Sequence, residues 1–170
     1  MQYIITRSLL LGFTLLAFSI VNGKELDEKK SVVYQLYKDF GWSAIFDVSV
    51  EAESYLGKPI EEQSPDILSK YFSPELVKLF LKEATCKQIR KGELCNLEFD
   101  PIFASQDSAA MDISINSAES NVIIVQFLYP SNLAKINLKY QLERIGDQWR
   151  ISDIVYLGEP SVSLKEILSR

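Results

Sequence analysis

The chain has 170 residues, 47% of them hydrophobic and 24% charged, a formal net charge of −5 and no histidine. That length suits one domain around one core, and an acidic balance with scattered Lys and Arg argues against nucleic acid or an anionic membrane surface as partner. Without histidine there is no Ser-His-Asp or Cys-His arrangement, and with no phosphate loop or dinucleotide fingerprint the hydrolase, kinase and dehydrogenase classes lose their support.

Met1 to Gly23 carries one basic side chain, Arg7, then an apolar run from Ser8 to Val21 and the small residues Val21 and Gly23 at the positions a signal peptidase reads. The run falls short of the roughly 20 residues that cross a bilayer, so residues 1–23 read as a secretory signal peptide cleaved near Gly23; an uncleaved anchor is the alternative. Residues 24–170 then form a single domain, periplasmic or secreted, with no membrane span in the mature chain. In an oxidising compartment Cys86 and Cys95 read as a disulfide closing a loop of about ten residues, worth about 2.5–3 kcal/mol. Free thiols are the alternative, and a metal site is disfavoured by the ligand spacing.

The first helix is predicted from Lys29 to Phe40, where Val32, Val33, Leu36, Tyr37 and Phe40 recur at helical spacing and Lys30, Gln35, Lys38 and Asp39 face outward. Gly41 interrupts it before Trp42 to Phe46, and Glu51 to Gln63, with Gly57-Lys58-Pro59, reads as a connection with little regular structure. Ser64-Pro65-Asp66 opens a short helix to Tyr71. Ser73-Pro74-Glu75 opens a longer one with a stripe of Leu76, Leu79, Phe80 and Ala84, stopped by Gly92. Phe99 to Asp107, FDPIFASQD, is too apolar to float free and too broken by Pro101 for a central strand, so it is expected to fold back onto the core.

Strands follow. Met111 to Asn116 alternates and Val122 to Tyr129 is continuously β-rich, so the two pair through the turn at Ser117 to Asn121. Ile136, Leu138, Tyr140 and Leu142 then share one face of a strand; Gly146-Asp147 turns the chain; Trp149, Ile151, Asp153 and Val155 share one face of the return. Ser163-Leu164-Lys165-Glu166 is a capping box opening a terminal helix. Helices first and a four-stranded antiparallel meander afterwards define an α+β domain with helices on one face of a curved sheet.

Three of these features, the helical N-terminal half, FDPIFASQD and QWRISDIVY (Gln148 to Tyr156) followed by SLKEIL, resemble the exported bacterial family called domain of unknown function 3828. That family looks like part of the nuclear transport factor two-like superfamily. The resemblance covers most of residues 24–170 and implies a small α+β cone whose sheet wraps a helix and leaves a pocket. Neither the Glu51 to Gln63 connection nor the cysteine pair matches it. A fold shared by enzymes, binders and scaffolds does not settle function.

The candidate ligand-binding residues are Trp42, Asp100, Gln106, Asp107, Tyr140, Trp149 and Asp153. A carboxylate at Asp153, buried in line with apolar residues, has its pKa raised unless donors reach it, which makes it a general base with Tyr140 as second donor, or a structural acceptor of backbone amides. The structural role is the one expected. Asp100 before proline and Gln106-Asp107 can satisfy loop amides or line a pocket; as paired carboxylates for calcium they lack the EF-hand spacing. Tyr34, Tyr37, Phe40, Trp42, Phe46, Tyr140 and Trp149 line a pocket or pack as core. The resulting expectation is a non-enzymatic exported protein, monomer or homodimer, without cofactor or metal, binding an unknown small molecule or protein through the concave sheet or its rim. The alternatives are an immunity-type protein whose acidic surface meets a basic toxin, and a small isomerase or hydratase using Asp153 with Tyr140.

Overall fold

The computed structural model describes residues 26, 28–41, 45–46, 59–90 and 95–170, with only the backbone at 45–46. The signal-peptide segment 1–23, Trp42, the first part of the connection at 51–58 and the helix stop at Gly92 lie outside the described residues.

Helix α1 occupies 28–40 and buries Val33, Leu36 and Tyr37, the centre of its predicted stripe. It ends where Gly41 donates its N–H to the Tyr37 carbonyl (2.8 Å), and a Cβ at Gly41 would sit 2.9 Å from that oxygen and 3.0 Å from the Phe103 ring. Only a residue without a side chain lets the chain leave α1 that close to Phe103.

The connection is more ordered at its end than its composition suggests. Ile60–Glu62 is a turn of 3₁₀ helix that buries Ile60 and Glu61. Helix α2 is a single turn, Pro65–Leu68, shorter than predicted, and its Ser64 cap makes no side-chain bond. Helix α3 spans Pro74–Ile89, with the Leu76 N–H donating to Ser73 Oγ at 3.4 Å. Its buried face is Leu76, Val77, Phe80 and Glu83, so Leu79 and Ala84 are only partly covered and a glutamate takes a core position.

Among the described residues the sheet has six strands in sequence order rather than four: β1 (Ile45–Phe46), β2 (Ala110–Ser117), β3 (Val122–Leu128), β4 (Lys135–Ile145), β5 (Gln148–Tyr156) and β6 (Val162–Ser163). The expected four-strand meander is β2 to β5. The additions are two-residue edge pairings, β1 parallel to β2 and β6 antiparallel to β5, too short to leave a periodic signal. The β4–β5 turn uses Gly146 at φ 58°, a conformation glycine adopts without strain.

Register explains the core. Ile123 pairs with Tyr140 and Tyr140 with Ile154; Val125 pairs with Leu138 and Leu138 with Tyr156, so these side chains share one face. Ile124, Lys139 and Val155 fall on the other face. The apolar face is covered by α1 and by the 99–104 segment: Phe103 lies edge-on to Tyr37 (5.8 Å) and to Phe127 (5.9 Å), and Phe99 to Tyr156 (5.2 Å). FDPIFASQD therefore folds back onto the core as expected.

One prediction about β5 is corrected. A register shift opposite Gln141/Leu142 inserts an extra residue in β5, so Leu142 faces Ile151 while Gln141 faces Asp153. A bulge changes the alternation. Trp149 and Ile151 keep the core positions that the sequence assigns them, but Ile154 and Tyr156, not Asp153 and Val155, continue the core row. At the bulge the backbone of Ile151 also exchanges bonds with the Tyr71 carbonyl (2.8 Å) and the Ser73 N–H (2.9 Å), joining β5 to the start of α3.

Helix α4 (Leu164–Leu168) closes the chain with the predicted capping box and buries Leu164, Ile167 and Leu168. Cys86 and Cys95 are disulfide-bonded, their Cα atoms 6.1 Å apart, as the spacing implied. Such a bond fits an oxidising, exported compartment. No helix among the described residues is long and apolar enough to cross a membrane.

Candidate functional site: a rim cleft beside the disulfide

Asp153 has donors on both oxygens. Oδ1 accepts from the N–H groups of Ile154 (2.8 Å) and Lys165 (3.1 Å), and Oδ2 accepts from the Ser163 hydroxyl at 2.5 Å. Asp153 thus ties β5 to β6 and to the first turn of α4, where the positive end of the helix favours a carboxylate. This is the structural role weighed for it.

Tyr140 is fully buried and belongs to a different network. The Tyr37 hydroxyl donates to the Ile102 carbonyl (2.6 Å) and lies 2.9 Å from the Tyr140 hydroxyl. Because the single Tyr37 proton is used on that carbonyl, Tyr140 is the donor between the two rings. Tyr156 donates to the Pro101 carbonyl at 3.1 Å. Burial pushes the pKa of all three phenols well up, so they stay neutral; Tyr156 ties Pro101 to β5, and Tyr37, bonded to Tyr140 of β4, ties Ile102 to α1. The structure therefore does not join Asp153 and Tyr140 into an acid–base pair: one binds the α4 start, the other Tyr37.

Trp149 is nearly buried, with the Lys29 ammonium 4.3 Å from its ring centroid and, among the described residues, no acceptor for its indole N–H. Lys29 also donates to the Ser120 carbonyl, so a lysine predicted as the start of an amphipathic helix becomes a buried cation resting on an aromatic face. Beside it lies a shallow cleft of about 510 Å³ bordered by Glu28, Asp147 and Arg150. Tyr34, one of the pocket aromatics, is 55% exposed.

Asp100 and Gln106 do meet at a cleft. It has a volume of about 560 Å³, and its polar wall comprises Glu61, Lys87, Glu98, Asp100, Gln106 and Ser108, with Pro59, Leu97, Phe99 and Cys95 as apolar lining. Asp100 shapes one side: its Oδ1 accepts from the Ile102 N–H (2.9 Å), its Oδ2 from the Ser108 hydroxyl (2.6 Å), and its backbone exchanges bonds with Ser105, Phe103 and Ala104. Burial raises its pKa, against the lowering effect of those hydrogen bonds. Asp107 lies just outside the lining; its carbonyl accepts from the Tyr129 hydroxyl (3.1 Å) and its N–H donates to Ser105 Oγ (3.3 Å).

The opposite side is built by α3. Glu83, 1% exposed, accepts from the N–H groups of Leu97 (2.8 Å) and Asn96 (3.2 Å), while the disulfide one turn on fixes Cys95. These two ties hold the 95–99 wall in place. Lys87, one turn beyond Glu83, donates to Glu61 Oε1 at 3.2 Å. Glu61 is 8% exposed and its second oxygen, Oε2, is buried with no hydrogen-bond partner among the described residues.

Sequence reasoning pointed to Asp100 and Gln106 in this cleft but missed Glu61, Glu83 and Lys87. A readable signal existed for Glu83, which sits seven residues after Leu76 and three after Phe80 on the buried stripe, where a carboxylate needs donors. Glu61 had none, because its burial depends on the 3₁₀ turn meeting α3. No group of three or more acidic or cysteine side chains among the described residues is arranged to hold a metal ion.

Compared with protein-family models, with curated proteins and with solved structures, the chain matches none.

Proposed function

We propose that the protein is an exported, non-enzymatic binding protein on a nuclear transport factor two-like cone, as its resemblance to domain of unknown function 3828 implies, and that it holds its ligand in the rim cleft beside the disulfide. The export step is the signal peptide over residues 1–23. The observation that carries the reading is the contrast between a sheet face filled by α1, Ile102 and Phe103 and an open cleft lined by the Glu61–Lys87 ion pair, Glu98 and Gln106. A buried carboxylate short of one donor costs free energy, which makes the cleft beside it a place where function rather than stability accounts for the arrangement. Binding rather than catalysis is supported by Asp153 and Tyr140, whose polar atoms are committed to structure.

Native mass spectrometry of protein taken directly from its own periplasm tests this. A retained species is expected on the wild type and is lost in Gln106→Trp, which fills the cleft from an exposed position. A retained species that survives Gln106→Trp would place the site elsewhere and sink the proposal.

A further inference from the structure

The rim cleft has a disulfide sulfur in its wall. Cys95 lines the cleft, whereas Cys86, in the last turn of α3, does not. Both residues are half-buried, so the bond between them is not sealed in the core. Exchange between a thiol and a disulfide is governed by access and by which sulfur the thiolate reaches, and here the sulfur on the open side is that of Cys95.

The wall does not hang on this bond alone. Next along the chain, Asn96 and Leu97 donate their N–H groups to the Glu83 carboxylate (3.2 and 2.8 Å), and the Leu97 side chain sits in the core. Helix α3 is anchored ahead of Cys86 through Leu76, Val77 and Phe80. Cleaving the S–S bond therefore removes one tie of two and confines the change to the end of α3 and the wall, a local opening rather than unfolding.

Resting on the reading of this cleft as the binding site, we infer that the Cys86–Cys95 bond is a thiol-sensitive latch on it. A low-molecular-weight thiol enters the cleft and its thiolate attacks Cys95 Sγ. A new S–S bond forms to Cys95, the Cys86–Cys95 bond breaks, and its electron pair leaves on Cys86, which takes up the proton that the thiol released. A second thiol displaces Cys95 from the mixed disulfide, so the bridge gains two electrons while two thiols become one external disulfide. With the bond intact the wall is held at Cys95 and at Asn96–Leu97; with it open, at Asn96–Leu97 alone. Binding is thus supported in an oxidising compartment and relaxed in a reducing one.

The test uses the oxidised mature chain, 2-mercaptoethanol as the thiol, N-ethylmaleimide to trap the products at short times, and peptide mass mapping. The mixed disulfide is expected on Cys95 and the maleimide on Cys86, about tenfold over the reverse arrangement, at a rate proportional to thiol and unchanged by urea well below the unfolding midpoint. Gln106→Trp, which narrows the cleft, slows the reaction about tenfold. In the opened and capped wild type, amide exchange of 95–99 is expected about tenfold faster, with β3–β4 unchanged. An even split, a preference for Cys86, or a reaction that begins only where urea unfolds the chain overturns the latch, as does exchange that rises equally in β3–β4. The regiochemistry on the wild type decides without the variant. The binding reading fails on a different measurement, a retained species that survives Gln106→Trp in native mass spectrometry.

Discussion

Buried carboxylates serve in two ways in this molecule, as satisfied ties at the end of β5 and behind the 95–99 wall and as an under-satisfied group at the rim cleft. At the end of β5, Asp153 accepts from two backbone amides and a hydroxyl; at the 95–99 wall, Glu83 accepts from two backbone amides. At the rim cleft, Glu61 has one oxygen on Lys87 and one with no partner among the described residues. Burial of a charge is therefore a poor pointer to function. The residual hydrogen-bonding capacity after the fold has taken its share separates a structural carboxylate from a candidate site.

Breaking the satisfied region should cost most. Asp153→Ala strands the Ile154 and Lys165 amides and the α4 cap together, and is expected to lower stability by about 3 kcal/mol, read as a shift in the urea midpoint at constant slope. Replacing Cys86 and Cys95 by Ser should cost about 2.7 kcal/mol by the loop-entropy argument and loosen the amides of 95–99, seen as faster hydrogen exchange there than in β3–β4.

The tyrosine pins sharpen the comparison in the core. Tyr37→Phe removes both the donor to Ile102 and the acceptor for Tyr140, so a loss of about 2 kcal/mol is expected, against about 1 kcal/mol for Tyr140→Phe, which leaves the Ile102 bond intact. The reverse order would show that the proton runs the other way. With folded pKa values raised above the ordinary 10.0, these phenols favour the folded state fully below that pH. Stability then falls as pH rises past it, because the unfolded chain releases the protons first. Phenolate absorbance from them should appear only on unfolding.

Asp100 gives a smaller effect at the acid end. Its folded pKa is raised from 3.8, so the folded state holds the proton more tightly and this group's contribution to stability declines as pH rises from about that value through the raised one. Asp100→Asn should abolish that decline, visible as a pH-dependent difference between the two unfolding curves. Least of all should come from Glu61→Gln, expected within about 0.5 kcal/mol of wild type, since it relieves an unpaired charge while weakening a partly exposed ion pair. A loss comparable to Asp153→Ala would put Glu61 in the structural class and remove the main support for the cleft.

Local, periodic features were legible in the chain itself. The α1 stripe, the Ser73 and Ser163 caps, the alternation of β4, the Gly146 turn and the Cys86–Cys95 pair follow from the preferences of neighbouring residues, which act before any tertiary contact forms. The fold-back of FDPIFASQD was readable from its apolar content, although its pins, Tyr37 and Tyr156, were not. The β5 bulge escaped because one inserted residue leaves the composition unchanged while reversing every later side chain. The two-residue edge strands β1 and β6 escaped because so short a pairing has no period to detect.

The cleft shows the division most clearly. Sequence alone determined that Asp100 and Gln106 lie where the helical half passes into the sheet, and that a cysteine bridge would tie the end of α3 to the segment before them. Tertiary structure alone decided that Glu61, from an acidic connection, is pressed against Lys87 and short of one donor. Hydrogen-bond balance at a buried atom is the sum over every element that packs there, and no single stretch of chain contains that sum.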